Sequence, residues 1–95
     1  MLFGFTGTDK ADSLQLRMDT RPVHLEFLKN PPAGVTVKVA SPRLGEDGKP
    51  MGSMVIIDAP DKAAAQAFFD NDPYAKVSLF QATTLEALAD IAFDW

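Results

Sequence analysis

The chain contains no cysteine and only one histidine, His24. The absence of cysteine excludes disulfide bonds and any metal site built from thiolates. A zinc site usually needs at least three protein ligands, and a single imidazole would leave only carboxylates to complete it. We therefore predict no metal site and no disulfide.

The chain also lacks an excess of basic residues. It has 9 Lys and Arg against 13 Asp and Glu, which gives a net charge of −4. Nucleic acids and anionic membrane surfaces both require a basic face, so neither is an expected partner. No apolar run approaches the roughly 18 residues of a membrane span. The first residues, MLFGFTGTDK, have no basic region followed by an apolar stretch, so we expect no signal peptide and a cytoplasmic location.

The 95 residues are enough for a single domain over residues 1–95, with a thin core. Alternation and helical spacing predict two helices and four strands. In chain order we expect a strand at 2–6, a helix at 11–29 that Pro22 kinks or divides, a strand at 35–40, a loop at 41–51, a strand at 52–58, a helix at 62–70 and a strand at 78–84. Val35, Val37 and Val39 are predicted to share one strand face. The segment Thr83-x-x-Glu86 fits either a helix capping box or a continued strand.

The order β-α-β-β-α-β is that of the ferredoxin-like α+β unit, an antiparallel sheet with two helices on one face. The first and third strands, which are apolar on both faces, are expected at its centre. The other sheet face would be an exposed apolar patch unless something covers it. A second copy, sheet against sheet, is the simplest cover, so we expect a homodimer through the open face.

The segment RPVHLEFL places the single histidine on the apolar side of the first helix. At roughly 100° per residue, His24 lies between Phe27 and Leu28 on the helix circumference. Arg17 and Arg21 would lie beside His24 if the helix is continuous. A histidine on this face is expected to be buried and to need partners for its ring nitrogens.

The segment FFDNDPY, at the end of the second predicted helix, offers a partner for His24. Asp70 and Asp72 would lie at a helix C-terminus, where the backbone dipole disfavours negative charge by up to about 1 kcal/mol. Since both helices cover the same sheet face, His24 is the expected donor to Asp72, which would fix the tautomer and make the other ring nitrogen a better base. The alternative is a purely structural histidine, with Asp-Pro-Tyr acting only as a helix stop and both aspartates facing water.

Four further residues are candidates for substrate binding. Arg17 and Arg21 offer the fork geometry that binds a carboxylate, although ion pairs with acidic residues of the chain explain them equally well. Ser41 lies near a strand end and would line the pocket. A Ser-His-Asp hydrolase built on Ser41 is not favoured, because no nucleophile-elbow motif accompanies it. Tyr74 is expected to pack under the helix end, or to act as a proton donor in the pocket.

Three segments, TRPVHLEFL, DGKPMGSMVIIDAP and FFDNDPYAKVSLF, resemble the YciI-like (YCII-related) domain family. Its most specific motifs here are Arg-Pro-x-His and Asp-Pro-Tyr. The resemblance implies the ferredoxin-like fold of the dimeric α+β barrel superfamily, and an active-site pair that falls on His24 and Asp72. The family is similar to muconolactone isomerase and to small cofactor-free monooxygenases. Ser41-Pro42 replaces the usual Gly-Pro, and the tail LEALADIAFDW departs from the family pattern.

These observations favour a small cofactor-independent enzyme of the lyase or isomerase type. An enzymatic member of the family acts as a dehydrochlorinase on a chlorinated hydroxyquinone, which implies small anionic, aromatic or lactone-like substrates. His24 would be the general base or acid, and Asp72 would orient it. The alternative is a non-enzymatic dimeric module that binds a small ligand or another protein, with a structural His-Asp bond. Oxygenase chemistry without a cofactor rests only on analogy with the superfamily.

Overall fold

The computed structural model describes residues 1–90, so the predicted tail beyond Asp90 lies outside the described residues. The elements in chain order are β1 (Leu2–Asp9), α1 (Leu14–Lys29), β2 (Thr36–Leu44), β3 (Pro50–Asp58), α2 (Lys62–Asp70), α3 (Pro73–Lys76) and β4 (Phe80–Leu88). The sheet order is β2-β3-β1-β4, and every pairing is antiparallel. This is the predicted α+β ferredoxin-like fold, with β1 and β3 at the centre.

The core lies between the central strands and the helices. Alternate residues of β1 and β3 face the helices, because successive strand side chains point to opposite faces. Phe3 pairs with Ile57, and Phe5 pairs with Val55, across the two strands. Phe5 stacks on Phe69 of α2 with ring centroids 4.3 Å apart. These aromatic contacts fix α2 over the centre of the sheet.

The open face of the sheet carries the complementary residues, such as Met54 and Ile56 on β3. One strand prediction is wrong here. Val37 lies opposite Ile57 and Val39 opposite Ile56, since the register shifts between the two valines. The extra residue of such a bulge sends Val37 to the helix side and Val39 to the open side, so the valines do not share a face.

Element ends also differ from the prediction. Strands occupy most of the predicted loop at 41–51, because β2 continues to Leu44 and β3 begins at Pro50. Pro42 is compatible with this because β2 is an edge strand. The segment after Thr83 continues as β4 to Leu88, so the capping-box alternative is wrong.

The helix α1 runs without division from Leu14 to Lys29 and contains Pro22. Proline removes one backbone donor, but Pro22 lies on the exposed side, where water can reach the carbonyl left without its partner. Val23 is also exposed, at 60%. The fully buried residues of α1 are Arg17 and His24, and Phe27 and Leu28 pack against the core. No helix among residues 1–90 is long and apolar enough to cross a membrane.

Candidate active site

His24 and Asp72 meet inside the protein, as the sequence predicted. His24 Nδ1 lies 2.8 Å from Asp72 Oδ1, and the residues are 7% and 2% exposed. The prediction that Asp72 lies at an unfavourable helix C-terminus is wrong, however. Asp72 is the N-cap of the short helix α3, and its Oδ1 also accepts a hydrogen bond from the Tyr74 backbone N–H at 2.9 Å. Its charge is therefore at a helix start, where it is favourable, and Asp70 is exposed and accepts from Gln66 instead.

The hydrogen bond from His24 to Asp72 defines the tautomer of the imidazole. An ionised carboxylate can only accept, so Nδ1 carries the hydrogen and Nε2 of the neutral ring has a free lone pair. Among residues 1–90, Nε2 has no hydrogen-bond partner, yet no buried side-chain nitrogen or oxygen is left unsatisfied. Nε2 is therefore reachable from the cleft that His24 lines.

The Tyr74 ring contacts both His24 and Arg17. The His24 and Tyr74 rings stack with centroids 3.9 Å apart and an interplanar angle of 19°. The Arg17 guanidinium carbon lies 4.6 Å from the centroid of the Tyr74 ring. A cation over an aromatic face is attracted by the negative face of the ring. These contacts thus hold both the imidazole and the guanidinium in fixed planes.

Arg17 is buried at 3% exposure and is held by two residues that the sequence analysis missed. Its Nε and Nη2 donate to the two oxygens of Asp9 at 2.6 and 3.0 Å, and Nη2 also donates to Ser53 Oγ at 2.8 Å. Among the described residues, the remaining amino group, Nη1, has no hydrogen-bond partner. The ion pair with an acidic residue that was the alternative for Arg17 is therefore present, and its partner is Asp9.

The cleft beside this network has a volume of about 120 Å³. Its lining includes five of the six predicted site residues: Arg17, Arg21, His24, Ser41 and Tyr74. Ser53 also lines it, whereas Asp72 lies behind His24. A cavity of about 150 Å³ in another protein encloses benzene, so this smaller, open cleft would enclose only part of a six-membered ring and excludes a larger ring system.

Arg21 and Ser41 form the outer part of the cleft, and both are exposed. The Ser41 hydroxyl donates to the Pro42 carbonyl oxygen at 3.2 Å. Ser41 pairs with Met54 in the sheet, so its side chain belongs to the open face and contributes only at the rim. Within residues 1–90, no three acidic or imidazole groups come together as a metal site would require.

The side chains that line the cleft favour hydrogen-bond donation to a ligand. Burial raises the pKa of Tyr74 above its usual value, with the nearby Arg17 charge opposing that effect. The phenol therefore stays protonated at neutral pH. Neither Asp9 nor Asp72 lines the cleft. The arrangement offers one basic nitrogen, on His24, surrounded by donors.

Comparisons with known proteins agree with this architecture. The YCII-related domain model matches residues 1–89. Protein YciI of Escherichia coli is 33% identical over 87 residues, which cover 85% of this chain and 89% of the relative. The structure of 5-chloro-2-hydroxyhydroquinone dehydrochlorinase from Burkholderia phenoliruptrix, in complex with 2,5-dihydroxybenzoquinone, is 34% identical with a TM-score of 0.83 and 94% of each chain covered.

A more distant structure supports the fold alone. An antibiotic biosynthesis monooxygenase is 13% identical, with a TM-score of 0.60 over 96% of this chain and 99% of that chain. By contrast, the family model and the relatives at 33% and 34% identity each span most of the chain. This chain belongs to the YCII-related domain family.

Proposed function

We propose that the chain is a cofactor-independent enzyme that removes a proton from a small oxygenated ring compound, in the manner of a lyase or isomerase. His24 Nε2 is the general base, and Asp72 orients the ring and stabilises the imidazolium that forms. The observation that carries the proposal is the 2.8 Å contact between His24 and Asp72, made beside an open cleft rather than in a sealed core.

The charges around the cleft support an anionic substrate. Arg17 presents Nη1 to the cleft while its other donors are occupied, and Arg21 lies at the outer edge. A fixed guanidinium stabilises negative charge that develops when a proton is lost next to a carbonyl. Because Asp9 neutralises most of the buried charge, Arg17 favours an oxyanion without repelling the proton that His24 accepts.

The size of the cleft and the dehydrochlorinase relative support a substrate with one ring. A chlorinated hydroxyquinol is the reasonable first probe, since a relative at 34% identity is named for that substrate. In dehydrochlorination, the chlorine-bearing carbon is first protonated in the keto tautomer of the ring. His24 would then take a proton from a ring hydroxyl, the O–H bonding pair would lead to a C=O bond, and chloride would leave with the carbon–chlorine bonding pair. The same base would serve an isomerase, with the proton returned at another atom.

The test compares two neighbouring aspartates. Asp72→Asn keeps an N-cap for α3 but removes the carboxylate that fixes the His24 tautomer. We expect chloride release from 5-chloro-2-hydroxyhydroquinone to fall by about 100-fold or more, the usual range for general acid–base catalysis. Asp70→Asn is the matched control, because Asp70 is exposed, accepts a hydrogen bond from Gln66 and does not line the cleft, and it should retain wild-type turnover.

His24→Asn separates catalysis from a structural role. If His24 is the base, this variant should lose turnover while its free energy of unfolding, measured with urea, changes by less than about 1 kcal/mol. A larger loss of stability together with wild-type turnover would identify the pair as structural. That result would favour the alternative, a non-enzymatic module that binds a small ligand or a protein.

A further inference from the structure

We infer that the hydroxyl groups of Ser53 and Tyr74 both donate hydrogen bonds to the substrate oxygen on which negative charge develops. They would act beside Arg17 Nη1, and they would select substrates that place an oxygen acceptor at the inner end of the cleft. This inference rests on the proposed function. It assigns a donor role to two neutral hydroxyl groups that the proton-abstraction step does not itself require.

The hydroxyl hydrogen of Ser53 has no acceptor among residues 1–90, and Ser53 lines the cleft. A guanidinium can only donate, so the 2.8 Å contact with Arg17 Nη2 occupies a lone pair of Ser53 Oγ. Among residues 1–90, no acceptor takes the hydroxyl hydrogen. Ser53 is 4% exposed and lines the cleft next to Arg17. Arg17 therefore orients this hydroxyl as a donor before any ligand arrives.

Tyr74 provides the second donor. Tyr74 is 1% exposed, and its hydroxyl has no hydrogen-bond partner in the described part of the chain. No buried side-chain oxygen in that part is left unsatisfied, so the hydroxyl keeps an opening to the cleft that Tyr74 lines. Burial raises the pKa of this phenol, which keeps its hydrogen in place at neutral pH. Ring contacts with His24 and Arg17 restrict its direction.

The surroundings of the two hydroxyls favour an acceptor on the ligand. Asp9 directs its oxygens at Arg17, and Asp72 directs Oδ1 at His24, so neither carboxylate is placed to accept from a ligand. A buried donor without an acceptor is costly, which penalises a ligand that lacks oxygen at this position. Ketones, quinones and enols meet the requirement, whereas a hydrocarbon or halocarbon edge does not.

The experiment uses Tyr74→Phe and Ser53→Ala in the full chain. We expect kcat/KM for 5-chloro-2-hydroxyhydroquinone to fall by about 10- to 100-fold in each, below the loss reported for a main oxyanion donor because Arg17 remains. Affinity for 2,5-dihydroxybenzoquinone should fall in the same variants. The acid limb of the pH–rate profile should stay in place in Tyr74→Phe, since the ring stack on His24 is retained.

Two controls separate donation from packing. Ser53→Thr keeps a hydroxyl and should retain most activity, and Ser13→Ala removes a hydroxyl outside the cleft and should have no effect. Wild-type turnover in either Tyr74→Phe or Ser53→Ala would overturn the inference while leaving His24 as the base. If the wild-type chain binds the quinone without turning over the chlorinated probe, weaker binding by both variants supports the inference and the proposed reaction fails. If it does neither, the proposed function fails and this inference fails with it.

Discussion

Replacing Asp9 with Asn should destabilise the protein although Asp9 does not line the cleft. The Arg17 and Asp9 side chains are 3% and 6% exposed, and two short hydrogen bonds join them. An amide at position 9 leaves the guanidinium charge buried without a counter-ion, and its NH2 group faces a donor. Breaking a buried ion pair by changing one partner costs about 3–5 kcal/mol. Hydrogen bonds to charged groups, at about 1.5–3 kcal/mol each, give a similar total for two.

We therefore expect Asp9→Asn to lower the free energy of unfolding by about 3 kcal/mol, measured by equilibrium urea denaturation. For a domain of this size, each kcal/mol corresponds to about 4–8 °C in melting temperature, so the midpoint should fall by about 12 °C or more. Asp70→Asn, at an exposed position, should stay within about 0.5 kcal/mol of the wild type.

A double-mutant cycle tests whether the cost comes from the pair. The single variants Arg17→Met and Asp9→Leu should each be destabilising, because each leaves the other charge buried without its partner. The double variant Asp9→Leu with Arg17→Met replaces the whole pair with apolar groups and should be more stable than the sum of the single changes by at least about 2 kcal/mol. Additive losses, or a loss below about 1 kcal/mol in Asp9→Asn, would refute the reasoning.

Two further predictions concern pH and assembly. Because the pKa of Tyr74 is raised in the folded state, the unfolded chain loses that proton first as the pH rises past about 10. The free energy of unfolding should therefore fall with pH above about 10, and urea titrations of Tyr74→Phe should lack that contribution; an identical slope in both proteins would contradict the assignment. We also propose a homodimer through the open face, so sedimentation velocity should give twice the chain mass. Ile56→Glu should shift it to a monomer, whereas a wild-type monomer would contradict the proposal.

Helical spacing was sufficient to predict the position of His24, because the geometry involved is local. Residues three and four positions apart share a helix face, so Arg17, His24 and Leu28 were expected together. The placement of Arg17 beside His24 required the helix to continue through Pro22, and α1 does so. The pairing of His24 with Asp72 required more. It depends on α3, a four-residue helix whose start reverses the electrostatic argument that suggested the contact.

Other features depend on strand register and were not predictable from local pattern. Ser53 reaches Arg17 across 36 residues of sequence, and their contact depends on the position of β3 in the sheet and on how α1 packs over it. In the sequence, Ser53 is a small polar residue in an otherwise apolar strand, with no signal for a partner. The bulge between Val37 and Val39 has no sequence signal either, yet it moves Val39 to the opposite face. A buried Arg17 did require a carboxylate, and that requirement could have pointed to Asp9 at the end of β1.

Arg17 connects stability to the proposed chemistry. A small domain has little apolar surface with which to offset a buried charge, so the ion pair with Asp9 and the stack on Tyr74 are both needed to hold the guanidinium in place. The same contacts leave Nη1 as its free donor and fix the Ser53 hydroxyl. A change at Asp9 should therefore weaken folding and substrate binding together. Tyr74→Phe should weaken substrate binding and turnover with little change in the free energy of unfolding at neutral pH, because the phenol oxygen has no hydrogen-bond partner among residues 1–90. The difference between these two variants distinguishes residues that build the cleft from residues that contact the ligand.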